Sequence, residues 1–316
     1  MIEYLKRLKL IYGIYNFFHP KRLKHHEELF RKLGMKKKYY SSLSSKDFRE
    51  FEHNPSPEFT TEPSALEKCA LFANLTGLDK ESLLSFSDNG YAVIREYLSG
   101  RETDAINDEI ENLLKAKKAH FNRKHKIMFA IRSSRLLFDT ANKPELIEIL
   151  SALMGGRAVL FQSINFLHGS EQATHSDSIH MTTYPPGGLL GVWIALEDIT
   201  MENGPLHYYP GSHKLPYYLN SDYDNEGNSF LLGNKSYEAY EQMIRDKIEK
   251  QGLEKTVFLA RKGDLLIWHA NLFHGGEPHL NRSRTRKSMV LHYFRAGAIC
   301  YHEITQRPAL LMTSEH

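Results

Sequence analysis

Cysteine is nearly absent from this chain: it has two, Cys69 and Cys300, far apart and in unrelated contexts. Two such residues cannot build a disulfide framework or a cysteine-ligated zinc site, so a reducing compartment such as the cytoplasm is expected. Long apolar runs are missing too. None reaches the ~18 residues that a membrane span requires, and the N-terminus lacks the apolar stretch and small-residue cleavage site of a secretory signal. Internal repeats and low-complexity tracts are also lacking, which argues against solenoid architectures. What is left is an ordinary globular composition, 41% hydrophobic and 25% charged over 316 residues. That is enough chain to bury a substantial core in one large domain or two.

The net charge of +3 hides an asymmetry. Residues 1–40 carry eleven Lys/Arg against three Glu, a local balance of +8, which leaves −5 on the rest. Within them Tyr4, Leu8, Ile11, Tyr15 and Phe18 recur at steps of three and four, the spacing of a helix that stops near His19-Pro20. A second short helix is expected over about residues 22–33, ending at Gly34. Such a stripe usually serves a core, so it is expected to pack on the main body with its charges in water. A basic amphipathic helix can instead make a weak contact with an anionic membrane surface or a polyanion. No specific nucleic-acid partner is expected.

Residues 41–64 have the Ser, Thr and Pro content of a loop or linker, and a helix is expected from Ser64 to about Leu75, with Gly77 just past its end. Residues 1–80 thus read as a basic helical extension and linker. From there the pattern turns to strands: Tyr91–Ile94, RAVLFQSINFLHGS, LLGVWIALEDI, KTVFLA, DLLIWHANLFHGG and SMVLHYFRAG. Two amphipathic helices, Arg101–Lys118 and Glu145–Met154, precede most of them. A charged helix, Tyr237–Lys250, sits in a stretch that reads as an insertion, residues 219–252. Helices followed by many short strands point to an α+β fold over residues 81–316 with its strand edges closed or sandwiched.

The chemistry gathers around GSEQATHSD, residues 169–177. If that piece is extended, His175 and Asp177 share a face, and a second histidine would complete a two-histidine, one-carboxylate site with open positions. In a chain with 17 histidines an isolated His-x-Asp is ordinary, and its bland reading is a satisfied core or loop histidine. Context argues otherwise. His274 stands in LFHGGEP, at the end of a strand-like run and before a Gly-Gly turn that leaves room for a ligand. TRKS follows at 285–288, where strand alternation puts Arg286, Ser288, Val290 and His292 on one face. An arginine fork beside a hydroxyl suits capture of a carboxylate. A 2-oxo acid with a second carboxylate, 2-oxoglutarate, satisfies both requirements: it can chelate the metal and reach Arg286. The turn-rich loop ENGPLHYYPGSHK, residues 202–214, is a candidate wall of the mouth.

HSD, WIALEDI…ENGPLHYYPGSH and GDLLIWHANLFHGG…TRKSMVLHY together, in this order, resemble the phytanoyl-CoA dioxygenase (PhyH-like) family of Fe(II)/2-oxoglutarate oxygenases, over about Phe86 to Ala296. The resemblance implies a double-stranded β-helix, or jelly-roll, core. It implies His175, Asp177 and His274 as iron ligands and Arg286 as the partner of the 2-oxoglutarate C5 carboxylate, with Trp193 lining the co-substrate pocket. The His274–Arg286 interval is slightly longer than the family's usual one. Trp193 reads equally well as a buried aromatic. Gln162 and Gln172 are further candidates to face the cavity. The reaction implied consumes O2 and releases succinate and CO2, with ascorbate as a possible support. An aspartate at 177, where related halogenases carry a small residue, favours hydroxylation of a small-molecule or lipid-like substrate, or a later divergence to desaturation or epimerisation.

Other histidines compete. His269 precedes His274 by five residues with opposite strand parity, so one of them alone can face the metal, and the Gly-Gly context favours His274. His168, His180, His207 and His279 are candidate pocket residues whose commoner reading is surface or core, and solvent exposure is the commoner reading of Arg132 and Arg135. Two other classes stay open: a non-catalytic binding or sensing protein on the same fold, and a zinc hydrolase, which leaves TRKS without a role.

Overall fold

The computed structural model describes residues 6–51, 63–122 and 124–310. Within it lie twelve strands: β1 (Tyr91–Ile94), β2 (Ile127–Met128), β3 (Ala158–Phe166), β4 (Thr182–Tyr184), β5 (Leu189–Ala195), β6 (Leu206–Tyr208), β7 (Thr256–Phe258), β8 (Leu265–His269), β9 (His274–Gly276), β10 (Ser288–Arg295), β11 (Ile299–His302) and β12 (Arg307–Pro308). They form a six-stranded sheet in the order β1-β8-β5-β10-β3-β2 and two three-stranded sheets, β12-β11-β4 and β7-β6-β9. Every pairing is antiparallel.

The nearly continuous apolar runs of the central strands follow from a sheet covered on both faces. Alternate residues go to opposite cores. Leu190, Val192 and Ile194 of β5, with Leu265 and Ile267 of β8 and Leu291 of β10, pack under the helices. Trp193, Ala195, Leu266, Trp268 and Val290 point the other way, toward Tyr208 and Phe258 of the β7-β6-β9 sheet. The covering helices are locally encoded. Helix Gly100–Lys115 opens on a capping box between Ser99 and Glu102 and buries Thr103, Ile106, Ile110 and Leu113, at steps of three and four. Burying each of the last three apolar side chains stabilises the fold by roughly 1.5–3 kcal/mol.

Several local expectations need correction. The helix expected from Ser64 to Leu75 is two, Pro63–Glu67 and Ala70–Asn74, separated by an extended Cys69. Gly77 does not end a helix but begins one, Gly77–Leu84, because the Thr76 hydroxyl accepts from Asp79 N–H and caps it. The second N-terminal helix is likewise split, into Pro20–Leu23 and His25–Lys32. The run DLLIWHANLFHGG is two strands, since the chain leaves the large sheet at Ala270 and joins the small one at His274.

The larger correction concerns the first helix, Lys9–Phe17. Most of the apolar stripe does not pack on the body: Leu8 is half-buried and bridges Leu231, but Ile11, Tyr15 and Phe18 are exposed, and Tyr4 lies outside the described residues. The side toward the body carries Asn16, which is fully buried, and Tyr12, whose ring lies 5.4 Å from the Arg307 guanidinium. The extension is nonetheless joined to the body through its later part, where Phe30, Leu43 and Phe48 share a core with Ile299 and Tyr301.

Candidate metal centre

One cavity lies between the six-stranded sheet and the β7-β6-β9 sheet. Ile164, Phe166, Trp193, Trp268, Val290 and His292 line it from the large sheet, and Leu206, His274 and Gly275 from the small one. His175 and Asp177 reach it from the loop before β4. That loop is not a strand. His175 makes an isolated antiparallel bridge with His274, each donating its backbone N–H to the other's carbonyl at 2.9 Å. Asp177 is the first residue of a 3-10 turn, Asp177–Ile179. The pairing brings the two imidazoles within 4.5 Å of each other, centroid to centroid. It depends on a glycine: a Cβ on Gly275 would lie 2.8 Å from both the Gln172 carbonyl oxygen and the His207 ring.

His175, Asp177 and His274 each offer a ligand atom, and these atoms lie within 4.8 Å of one another; among the described residues no other such group occurs. Hydrogen bonds aim them. His175 Nδ1 donates to Ala173 O and His274 Nδ1 to Leu272 O, both at 2.9 Å. A carbonyl only accepts, so each Nδ1 carries the proton and each Nε2 turns a lone pair inward. Asp177 Oδ2 accepts from Trp268 Nε1 at 2.8 Å and His292 Nε2 at 3.3 Å. That leaves Oδ1, at 3.9 and 3.7 Å from the two Nε2 atoms, as the free carboxylate oxygen. His292 is fixed in turn, its Nδ1 accepting from the Gln162 amide at 3.1 Å. The indole of Trp268 can cross β5 to reach Asp177 because residue 191 is glycine; a Cβ there would come within 2.1 Å of the ring.

Electrostatics follow the burial. Desolvation, reinforced by His274, keeps the His175 imidazole neutral, well below its usual pKa. Burial works to raise the Asp177 carboxyl, but His274, His292 and His175 outweigh it and hold it well below the usual carboxylate range. His175 as a neutral imidazole and Asp177 as a carboxylate are in the protonation states that bind a metal.

Arg286 lies in the same cavity, 1% exposed. Its Nη1 donates to Ser288 Oγ at 2.9 Å, and its guanidinium lies 5.4 Å from the Phe166 ring and 5.7 Å from that of Trp193. No carboxylate of the described residues pairs with it, and its buried Nε finds no acceptor. Burial pushes its pKa down to about 10. Glu197 acts on it only through space, and a buried cation with no carboxylate in direct contact suits capture of an anion.

The candidates drawn from sequence divide clearly. Arg286 and Trp193 line the cavity; Ser288 holds Arg286; Gln162 does not reach the cavity, because it is bonded to His292, which is the residue that faces it. Gln172 does reach it, donating to His175 Nε2 at 3.1 Å. His269 stands apart on the large sheet against His213. His168, His180, His207 and His279 are all outside the cavity lining, and Arg132 and Arg135 are exposed. Helix Tyr237–Gln251, read as part of an insertion, braces the metal loop: the Tyr240 hydroxyl accepts from Ser176 N–H at 3.2 Å. Sequence reasoning missed Trp268 and Lys126. Lys126 Nζ donates to Gln172 Oε1 at 3.0 Å inside the same cavity, with burial lowering its pKa. Nothing in its surroundings, FNRKHKIMF, singles it out from other lysines.

Comparison with known proteins agrees with this architecture. In Bos taurus, "Phytanoyl-CoA dioxygenase domain-containing protein 1" is 35% identical over 135 residues, which are 41% of this chain and 41% of that protein. The chain thus spans about two-fifths of the length of the curated relatives it matches. A non-heme α-ketoglutarate-dependent carbocyclase, SnoK from nogalamycin biosynthesis, shares the fold at a TM-score of 0.60 and 20% identity, over 76% of this chain and 89% of that one. The epimerase SnoN, solved with Fe3+, α-ketoglutarate and nogalamycin RO, matches at a TM-score of 0.55 and 18% identity, over 80% and 98%. The profile of the family described as Phytanoyl-CoA dioxygenase (PhyH) matches residues 86–288, well over half of the sequence. The chain belongs to the phytanoyl-CoA dioxygenase (PhyH) family.

Proposed function

We propose that this protein is a non-haem Fe(II)- and 2-oxoglutarate-dependent dioxygenase that hydroxylates an unactivated C–H bond of a small-molecule or lipid-like substrate. The observation that carries the reading is the buried, unpaired guanidinium of Arg286 in the same cavity as His175, Asp177 and His274. A structural metal site has no use for a carboxylate trap beside it, and a zinc hydrolase leaves Arg286 without a role.

His175 Nε2, Asp177 Oδ1 and His274 Nε2 would hold Fe(II), which their mix of imidazole and carboxylate suits, with positions left open. Bound there with 2-oxoglutarate and O2, the metal supplies the oxidation: the 2-oxo acid loses CO2 to become succinate, and the substrate takes the other oxygen atom. The remaining work belongs to the chain. Arg286, steadied by Ser288, orients the far carboxylate of the co-substrate, and Lys126 adds a second cation for a dianion. Phe166, Trp193 and Val290 exclude water along its methylenes. Trp268 and His292 occupy one oxygen of Asp177, so a single oxygen is presented to the metal. The two sheets facing each other across the cavity support a double-stranded β-helix framework. Two buried free cysteines support a reducing compartment such as the cytoplasm, and among the described residues no helix is long and apolar enough to cross a membrane.

Purified protein with Fe(II), ascorbate and 2-oxoglutarate is expected to form succinate, and a His175→Ala variant to form none. Full turnover by that variant would sink the metal assignment. The carbocyclase and epimerase among the fold's relatives favour a second outcome on the same site, in which succinate forms but the product carries no added oxygen. Product mass separates the two. Intact 2-oxoglutarate binding with no succinate from any substrate would favour a sensing protein instead.

A further inference from the structure

The helix Lys9–Phe17 is turned the unusual way round. At about 100° per residue, Phe17, Leu10, Ile14, Phe18 and Ile11 fall within an arc of about 120°. That arc faces solvent: Leu10 is 71% exposed, Ile14 53% and Phe18 73%. Tyr40 extends it, its ring 5.6 Å from that of Phe17. The opposite side is the docked one, with Asn16 buried and the Tyr12 ring against the Arg307 guanidinium of the body; just before the helix, the Arg7 guanidinium donates to the Leu232 carbonyl. A contiguous exposed apolar face on a small helix marks an interaction surface.

What it meets follows from the charge around it. Residues 6–40 carry eleven Lys/Arg against Glu27 and Glu28, and both glutamates are engaged, Glu28 by Lys32 and Glu27 by the Tyr39 N–H. Lys21 and Lys24 are exposed just past the helix, and Lys36 and Lys38 just before Tyr40. Arg22 and Tyr15 also act electrostatically on Arg132 from the body, which brings one more cation to the helix flank. A second copy of the chain docked face to face would oppose these cations with their own images. An anionic lipid surface would neutralise them while taking up the apolar side chains.

We propose that helix Lys9–Phe17, with Phe18, lies in the plane of an anionic membrane surface, its Leu10–Ile14–Phe18 face among the acyl chains and the surrounding lysines and arginines on the lipid phosphates. The surface is separate from the metal cavity and stands whether or not the enzymatic reading does.

The test is co-sedimentation of the full chain with vesicles of phosphatidylcholine, with and without phosphatidylserine, at low and high salt. The wild type is expected to partition onto the anionic vesicles at least about tenfold better than onto the neutral ones, with high salt eroding the difference. Ile14→Asp with Phe18→Asp is expected to abolish binding, and Lys21→Glu with Lys24→Glu to remove the preference for phosphatidylserine. Both pairs are on the surface, so unchanged thermal unfolding checks that the fold is intact. Absence of wild-type binding to anionic vesicles, or binding by the Ile14→Asp/Phe18→Asp variant at the wild-type level, overturns the proposal. So does a concentration-dependent dimer that this variant loses, which would assign the face to a second copy.

Discussion

Arg286→Met separates a carboxylate trap from a structural residue, because the two roles move stability and binding in opposite directions. The guanidinium makes one side-chain hydrogen bond, to Ser288, and leaves Nε unsatisfied between the Phe166 and Trp193 rings. An unsatisfied buried donor costs about 1–3 kcal/mol, and replacing buried charge by a well-packed apolar side chain is often neutral or stabilising by about 1–4 kcal/mol. Methionine fills the same slot without the charge, so metal-free Arg286→Met is expected to melt at the wild-type temperature or a few degrees above it. Binding should move the other way. Truncating one partner of a buried charge pair costs about 2–5 kcal/mol, which weakens 2-oxoglutarate binding by roughly thirtyfold to several thousandfold. The assay is thermal unfolding with Mn(II) in place of iron, with and without 2-oxoglutarate. Ligand at about a hundred times Kd adds about 2.7 kcal/mol to the wild type, and at the same concentration at most about 0.9 kcal/mol to the variant. A variant markedly less stable than wild type that keeps the full ligand-induced shift would show that Arg286 only holds the fold.

Other consequences can be checked singly. Trp268→Phe keeps the ring beside His274 but removes the N–H to Asp177, and metal affinity measured by chelator competition should fall about ten- to a hundredfold. Gly191→Ala forces a methyl into that indole; a loss of about 1–3 kcal/mol in urea unfolding is expected, together with weakened metal binding, whereas wild-type stability would show that Trp268 is free to move. Burial holds His26 neutral well below its usual pKa, and pushes His269 and His302 down to about 3. The unfolded chain therefore binds more protons than the folded one between pH 6.5 and about 3, so stability falls as pH drops through that window. The urea midpoint should be lower at pH 5 than at pH 7, and a flat profile would contradict the assignment.

The grouping of His175, Asp177, His274 and Arg286 in one cavity was legible in the sequence because their context is made of short-range signals, a Gly-Gly after His274 and strand parity from Arg286 to His292. Parity was the wrong reason for His175 and Asp177, which converge through a bridge to His274 and a 3-10 turn rather than along a strand. His274 rather than His269 lies with His175 and Asp177 because the chain changes sheets between the two. Trp268 and Lys126 were invisible for one reason. Each reaches the site across another element, the indole over Gly191 and the ammonium toward Gln172, and no local pattern encodes a contact between residues so far apart in the chain. The N-terminal helix shows the reverse failure: its periodicity marks the helix but not which side faces the body, since the docked side meets residues far along the chain, such as Arg307 on the Tyr12 ring.

One cavity is expected to hold a metal and a 2-oxo acid together. Calorimetric titration of 2-oxoglutarate into the protein under anaerobic conditions, with and without Mn(II), measures this directly. One binding event per chain that requires the metal is the expected result. No binding with Mn(II) present, or binding of equal strength without it, would contradict the assignment of His175, Asp177, His274 and Arg286 to a single site.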